Sequence, residues 1–304
     1  MNHPRRRLVS KAGGIPVIIS FILSVLVYLF VKTFFLKTTD NFIEILIVLV
    51  VLLLCFFIGF FDDLFVWDIS YKNRQKNLLG GWKKILLTLP IALPLVVISA
   101  GETILQIPFI GGYNFGWIYP VIFIPIMVIG VVNGTNLLAG FDGLEAGLGV
   151  IIIGTLSVIA YMSGLLWLAL IGLIFVVALI CFYFFNSVPA KIFPGNTLTY
   201  TIGAMIVCFA VLGNMESLAL ILFIPYIIEG FLKSRSNFKA HSFGIPNNDG
   251  SLEEPYEGKV YGLTHLSLKI LNKIKKKVYK KDVTELLLGL EFILAAIVLI
   301  MVLG

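Results

Sequence analysis

Nine apolar runs divide the 304-residue chain, at 15–36, 42–61, 83–100, 117–135, 144–163, 165–185, 198–213, 216–232 and 285–303. Each is close to the roughly 20 residues an α-helix needs to cross a bilayer's hydrocarbon core. Hydrophobic residues make up 59% of the chain and charged residues 13%, against roughly 45–50% and about 25% in soluble domains. The runs are continuous and do not alternate, which argues against a transmembrane barrel. The expected fold is all-α: a polytopic membrane helix bundle of about nine transmembrane helices, forming a single integral-membrane domain over 1–304. The first run is too long for the apolar core of a signal peptide and has no clear small-residue cleavage site. Cys55, Cys181 and Cys208 lie inside apolar runs without metal-ligand spacing, and read as small buried hydrophobes.

The charges orient the bundle. With the N-terminus cytosolic, all but Lys32 and Lys37 of the 23 Lys and Arg fall on inner segments, the excess that cytosolic loops carry. Such basic segments attract anionic headgroups or a phosphorylated substrate. Outer connections are short except 101–116, whose alternation about Gly111-Gly112 predicts a small outer hairpin. The long inner loop, 233–284, has a turn signal at Pro246–Gly250. Its stretch Thr264 to Lys281 reads as an amphipathic helix on the membrane surface.

Polar chemistry concentrates in four inner segments. GFFDDLFVWDISYKNRQK, 59–76, places Asp62, Asp63 and Asp68 before Lys72, Arg74 and Lys76. Adjacent carboxylates at a membrane face are costly. With nearby cations they suit Mg²⁺ and a phosphorylated ligand, since Mg²⁺ is usually held by one or two carboxylates plus substrate phosphates. NGTNLLAGFDGLEAG, 133–147, sets Asn133, Asn136, Asp142 and Glu145 among glycines that allow close backbone approach. FFNSVPAKIFPGNT, 184–197, offers Asn186, Lys191, Phe193 and Asn196, and the fourth segment holds Lys233, Arg235, Lys239 and His241. HExxH, CxxC, GxSxG and Walker patterns are missing, and three histidines are too few for a His-built zinc site. Nothing in the chain points to nucleic acid.

In order along the chain, GGIP at 13–16, GFFDD at 59–63, the 133–147 motif, FNSVPAKIFPGNT at 185–197 and the long inner loop resemble the polyprenyl-phosphate N-acetylhexosamine-1-phosphate transferase family. NLLAGFDGLEAG is similar to its GlcNAc-specific dolichol branch, and the 243–269 loop is archaeal in style. The peptidoglycan branch has an aspartate at the position of Ala139 and a histidine cluster in the last inner loop, which this chain lacks. The resemblance implies catalytic roles for Asp62 and Asp63, in holding metal or deprotonating the acceptor phosphate. It implies metal contacts from Asn136, Asn196 and Asp63. It further implies that Asp142 reads the uracil edge, Asn186 helps hold the nucleoside and Phe193 stacks on uracil. Lys76 matches a phosphate-contacting lysine, with Lys72 and Arg74 as alternatives, and Arg235, Lys239 and His241 match groups near the diphosphate or sugar. Two departures stand out. The family's metal-binding aspartate is Asn196 here, so Asp62 and Asp63 are expected to supply more of the metal's charge. The chain also begins just before GGIP, without the family's usual first helix.

The implied reaction transfers GlcNAc-1-phosphate from UDP-GlcNAc to a polyprenyl or dolichyl phosphate, giving GlcNAc-diphospho-polyprenol and UMP, the first step of lipid-linked glycan assembly for N-glycosylation. Mg²⁺, or Mn²⁺ in its place, is the implied cofactor. The cell membrane is the implied location, with the active site toward the cytoplasm, and a homodimer is compatible with it. Three other readings stay open: another UDP-N-acetylhexosamine (UDP-GalNAc or a UDP-muramic-type precursor), an inactive paralogue, and an ion-coupled transporter using Glu229 and Glu291, the carboxylates deepest in the runs.

Overall fold

The computed structural model describes residues 10–72, 86–99, 101–107 and 110–303. Helices α1 (Gly14–Phe34) and α2 (Phe42–Lys72) form a first pair. A short turn, Leu89–Ile91, leads into α3 (Ala92–Ile98). A two-stranded antiparallel hairpin follows, β1 (Ile104–Ile107) and β2 (Gly111–Asn114), with Ile104 opposite Asn114 and Ile107 opposite Gly111. A π-helical turn, Tyr119–Phe123, opens α4 (Ile124–Leu137). Next come α5 (Leu144–Met162), α6 (Leu166–Asn186), α7 (Gly195–Leu212), α8 (Glu216–Leu222) and α9 (Ile224–Ser234). The chain ends with a small strand pair, β3 (Ile245–Pro246) and β4 (Leu252–Glu253), then α10 (Leu263–Ile274) and α11 (Lys280–Leu303).

The all-α membrane bundle and the small hairpin are as the sequence predicts. Seven of the described helical segments are long and apolar enough to cross a membrane, and α8 with α9 makes an eighth if that bent pair is one span. The pair bends by 58°, at Phe223, just before Pro225. Proline has no N–H to continue the helical ladder. The expected third span, 83–100, is described only in part, as the ten-residue apolar stretch Leu89–Ile98. The amphipathic helix is shorter than expected: the backbone turns extended at Lys275, and the last span starts at Lys280, ahead of the expected 285. Cys55 and Cys208 are buried, but Cys181 is exposed on the lipid-compatible flank of α6.

α7 is the axis of the bundle. In its spanning window 83% of residues are buried, against 22% for α11, and it packs on α1, α2, α4, α5 and α8. Lipid tails are as apolar as leucine, so helices in a bilayer associate through close packing and hydrogen bonds at small residues. α7 follows that logic. A Cβ on Gly203 would lie 2.7 Å from Thr135 Oγ1 and 2.8 Å from Val132 Cα on α4, and the Thr135 hydroxyl donates to the Thr199 carbonyl at 2.9 Å. Gly59 of α2 meets the Asn196 carbonyl, and Gly14 of α1 meets the Leu198 nitrogen, each 2.7 Å from the Cβ position. Three neighbours therefore reach the α7 backbone where one partner is a glycine.

Two further sets of polar contacts lie at the two ends. At one end the Tyr119 hydroxyl donates to Glu216, joining α4 to α8 beside the hairpin. At the other end Glu229 accepts the Leu263 N–H at the start of α10 and faces Lys233 at 3.3 Å. Lys233 in turn donates to the Leu137 carbonyl that ends α4. Glu291 is fully buried on α11, which packs against α5 and α8.

Replacing Gly203 by Val should destabilise the bundle by about 1–3 kcal/mol through overpacking. A Cβ on Gly154 meets nothing within 4 Å, so Gly154→Val should leave stability unchanged. Thermal melts of the detergent-solubilised variants, side by side, test the pair.

Candidate active site

The ends of α2, α4, α6 and α9 meet the starts of α1, α5, α7, α10 and α11 at one end of the bundle. The turn into α7 organises it. Residues Ser10–Gly14 run along the 192–194 loop: Phe193 N–H donates to the Ser10 carbonyl, Gly13 N–H to the Phe193 carbonyl and Gly14 N–H to the Pro194 carbonyl. Gly13 has no room for a side chain, since its Cβ position is 2.3 Å from the Phe182 ring. That packing explains the GGIP signature at 13–16.

Gly195 starts α7 with φ +70°, and its Cβ position is 2.3 Å from the Lys11 carbonyl and 2.6 Å from Asp63 Oδ2. Only glycine suits both the left-handed backbone and the crowding. Asp63 reaches across from α2. Its Oδ1 accepts the Asn196 N–H at 2.9 Å, and its Oδ2 accepts the Thr197 N–H at 3.0 Å and the Thr197 hydroxyl at 2.8 Å. These are the N–H groups that a helix N-terminus leaves unpaired. The residue before α7, Pro194, makes no side-chain cap, so the cap comes from another helix. The negative charge also complements the positive end of the helix dipole.

Asp62 is buried, 3% exposed. Its Oδ2 accepts from the Asn196 side-chain amide at 2.7 Å and from the Tyr200 hydroxyl at 3.4 Å. Tyr200 also interacts with the Asn136 side chain, and Asn136 Oδ1 accepts from the Thr199 hydroxyl at 3.2 Å. Asp62, Asp63, Asn136 and Asn196 are thus joined in one network. Asn133, three residues earlier, bonds Thr88 instead and ties α4 to the turn before α3.

A second cluster adjoins it. Asn186 is fully buried. It accepts the Gly143 N–H at 3.1 Å and donates to the Ile192 carbonyl at 2.9 Å, stitching the 138–143 loop to the 187–194 loop. Asp142 accepts the Ala190 N–H at 3.0 Å, and its other oxygen faces the Lys280 ammonium at 3.7 Å. Glu145 accepts the Gly140 N–H and closes the same loop. Phe193 is half-buried beside them.

Arg235, Lys239 and His241 are exposed on the inner-loop side, where the Tyr256 hydroxyl accepts the His241 N–H. Phe243 from that loop stacks near Phe141 and crowds Gly140, so the loop lies over the second cluster. Lys76 and its alternative Arg74 fall outside the described residues, as do the side chains of Asp68 and Lys72. A polar surface basin of about 710 Å³, lined by Asn247, Asp249, Asn272 and Lys277 among others, shares none of the site's residues. Its open shape and salt-bridged lining mark it as a surface fold of the inner loop.

Thr197 and Tyr200 were readable in principle, one and four residues after Asn196 on the helix that begins there. Lys280 was not, because nothing local links it to Asp142. Among the described residues no three His, Cys, Asp or Glu side chains gather as a metal cluster. Asp62, Asp63, Asn136 and Asn196 all carry side-chain oxygens of the hard kind that Mg²⁺ takes together with substrate phosphates, and the Asn196 group turned to Asp62 here is its amide nitrogen.

The fold and site define a multi-pass membrane protein with a carboxylate–amide centre at one end of its bundle. Residues 45–214 match the family model described as glycosyl transferase family 4. A provisionally named UDP-N-acetylglucosamine–dolichyl-phosphate N-acetylglucosaminephosphotransferase of Saccharolobus solfataricus is 36% identical over 99% of this chain and 86% of its own length. A protein of the same provisional name from Sulfolobus acidocaldarius is 33% identical over 85% of this chain and 74% of its own. A phospho-N-acetylmuramoyl-pentapeptide-transferase of Shouchella clausii is 31% identical over 75% and 68%. The chain belongs to glycosyl transferase family 4.

Removing the Asp63 cap should cost more stability than removing the Asp62 charge. Asp63→Ala should lower stability by about 2 kcal/mol, the upper range for losing a helix cap. In Asp62→Asn, Asn196 keeps an acceptor, and the melting midpoint should stay close to wild type. Thermal melts of both variants in one detergent check the ordering.

Proposed function

We propose that this chain transfers GlcNAc-1-phosphate from UDP-GlcNAc to a polyprenyl phosphate of the dolichyl type, releasing UMP. The reading is carried by the 36% identity over nearly the whole chain to a relative bearing that name. The network joining Asp62, Asp63, Asn136 and Asn196 supports it. The site would face the cytoplasm, the side to which the lysine and arginine excess assigns the inner loops. Lipid phosphate would enter between helices, and the nucleotide sugar from water.

In the reaction, a non-bridging oxygen of the lipid phosphate attacks the β-phosphorus of UDP-GlcNAc. The new P–O bond forms as the bond from that phosphorus to the α–β bridging oxygen breaks. UMP leaves with that oxygen and its electron pair. No base is required, because a phosphomonoester with a second pKa of about 6 is already largely ionised near neutral pH. The obstacle is repulsion between two anions. A bound Mg²⁺, or Mn²⁺, would be held by Asp62 and the side-chain oxygens of Asn136 and Asn196, and would supply Lewis-acid screening of the diphosphate.

The protein's own part is positioning. Asp63 fixes the start of α7 and so places Asn196 beside Asp62. Asn186 fixes the two loops that frame the nucleoside position. Asp142, steadied by the Ala190 N–H and Lys280, would offer its carboxylate to the uracil edge, with Phe193 as the stacking face. Arg235, His241 and Lys76 would attend the diphosphate and sugar.

Membranes containing the chain, given labelled UDP-GlcNAc, polyprenyl phosphate and Mg²⁺, should form labelled lipid and release UMP, and tunicamycin should block both. Asp62→Asn should reduce the rate by about 10²-fold or more, the scale of losing one key electrostatic group. Phe193→Ala should raise KM for UDP-GlcNAc. Absence of labelled lipid with a folded protein overturns the assignment, and an unchanged KM removes the stacking role.

A further inference from the structure

Helix α10 (Leu263–Ile274) is tied to the membrane bundle at both ends. Its first N–H, that of Leu263, donates to Glu229 of α9 at 2.5 Å, inside the apolar run 216–232. At its other end, five residues lead to Lys280, where the last span begins. A helix held at both ends at that level runs along the membrane face.

Its surface divides three ways. Leu263, Thr264, Ser267, Leu268 and Leu271 are buried against the fold. Lys269 and Asn272 turn to the inner loop in exposed contacts, Lys269 donating to the Gly258 carbonyl at 3.3 Å and Asn272 to Glu254 at 3.1 Å. Leu266, Ile270 and Ile274 make the third face, an apolar stripe between 37% and 77% exposed. At roughly 100° per residue, Ile270 stands about 160° around the helix from Asn272 and about 60° from Lys273. The stripe therefore points away from the inner-loop contacts and is flanked by an ammonium group.

Charge gives the sign of what covers it. Seven lysines and no acid stand between Thr264 and Lys281. Lys275, Lys277, Lys280 and Lys281 face carboxylates. Lys273 and Lys276 are exposed, and among the described residues neither forms an ion pair. Apolar side chains that enter acyl chains, beside lysines that reach for headgroups, fit a bilayer surface, and the headgroups that suit them are anionic. The same helix supports the cover of the site. The Thr264 hydroxyl donates to the Ser242 carbonyl at 2.6 Å, and a Cβ on Gly244 would lie 2.8 Å from Leu268. Phe243, between them, stacks near Phe141.

We propose that the stripe Leu266–Ile270–Ile274, with Lys273 and Lys276, seats anionic phospholipid in the leaflet at the site's end of the bundle, and that this lipid holds the 242–244 segment over the 138–143 loop for transfer. The lipid contact stands on the helix geometry, and its effect on catalysis rests on the transfer reading above.

The test places the full chain in nanodiscs of phosphatidylcholine, with and without phosphatidylglycerol. A nitroxide is attached through Ile270→Cys or Asn272→Cys in a Cys181→Ala background, since Cys181 is exposed and the other cysteines are buried. The label on Ile270→Cys should be open to oxygen, and that on Asn272→Cys to a water-soluble nickel chelate. Phosphatidylglycerol should deepen the first label and raise the transfer rate. Lys273→Gln combined with Lys276→Gln should need at least about fivefold more phosphatidylglycerol for both effects, the scale of losing one lysine near an anionic surface. A label on Ile270→Cys open to the chelate, or shielded from both probes as a second copy of the chain would shield it, overturns the lipid contact. Equal depth in both lipids, or a response indifferent to the two lysines, overturns the anionic partner. Lipid-dependent depth with an unchanged transfer rate overturns the link to the site. Lipid-dependent depth with no labelled product overturns the transfer reading and leaves the lipid contact standing. Leu266→Cys takes the place of Ile270→Cys should that variant not fold.

Discussion

The cap that Asp63 of α2 places on α7 is the interaction on which the rest of this end of the molecule depends. In water, the free N–H groups at a helix start can bond solvent. At a bilayer face, inside a packed bundle, they need a protein acceptor. Proline at 194 offers none, so the acceptor comes from the adjacent helix. The geometry demands that α2 and α7 touch, which Gly59 permits, and that the turn at 195 be left-handed and bare, which Gly195 permits. Two glycines, one proline and one aspartate, separated by up to 136 positions in sequence, therefore form one device. Asp62 is its neighbour on α2, and the same contact brings it against Asn196.

A second chain of polar links holds the inner loop against the site. Lys233 ties the last carbonyl of α4 to Glu229, and Glu229 holds the first N–H of α10. The inner loop between α9 and α10 then descends onto the 138–143 loop through Phe243 and Phe141. Glu229 is the residue that, read from sequence, could have served an ion relay. Its pairing with Lys233 and with a helix start gives it an anchoring task instead.

Much of this architecture was legible in the sequence because bilayer thickness converts directly into run length. The long helices, the hairpin about Gly111-Gly112 and the surface helix after Gly262 all follow from hydropathy, alternation and turn chemistry. The 216–232 run was harder to read, since an apolar run does not by itself show that it divides near Pro225 into two bent helices. At the site, Asp62, Asp63, Asn136 and Asn196 were recognisable as polar intrusions in apolar sequence. What sequence could not reveal is which of two adjacent aspartates does what. The two face different partners because consecutive residues on a helix point about 100° apart. One lands on the α7 start and the other on the Asn196 side chain. Asn186 shows the same limit: its polarity is visible, but its use as a clasp between two loops needs the fold.

The division of labour within the Asp62–Asp63 pair also changes the meaning of Asn196. Taken alone, asparagine in the place of an acid subtracts a charge from a metal site. Set beside a carboxylate already committed to a helix cap, it gives Asp62 a donor in addition to the Tyr200 hydroxyl. Three carboxylates crowded at a lipid boundary would carry a repulsion that a bound cation or protonation must relieve. Two carboxylates, one capping a helix dipole and one bonded to an amide, form an arrangement that is satisfied by the protein itself.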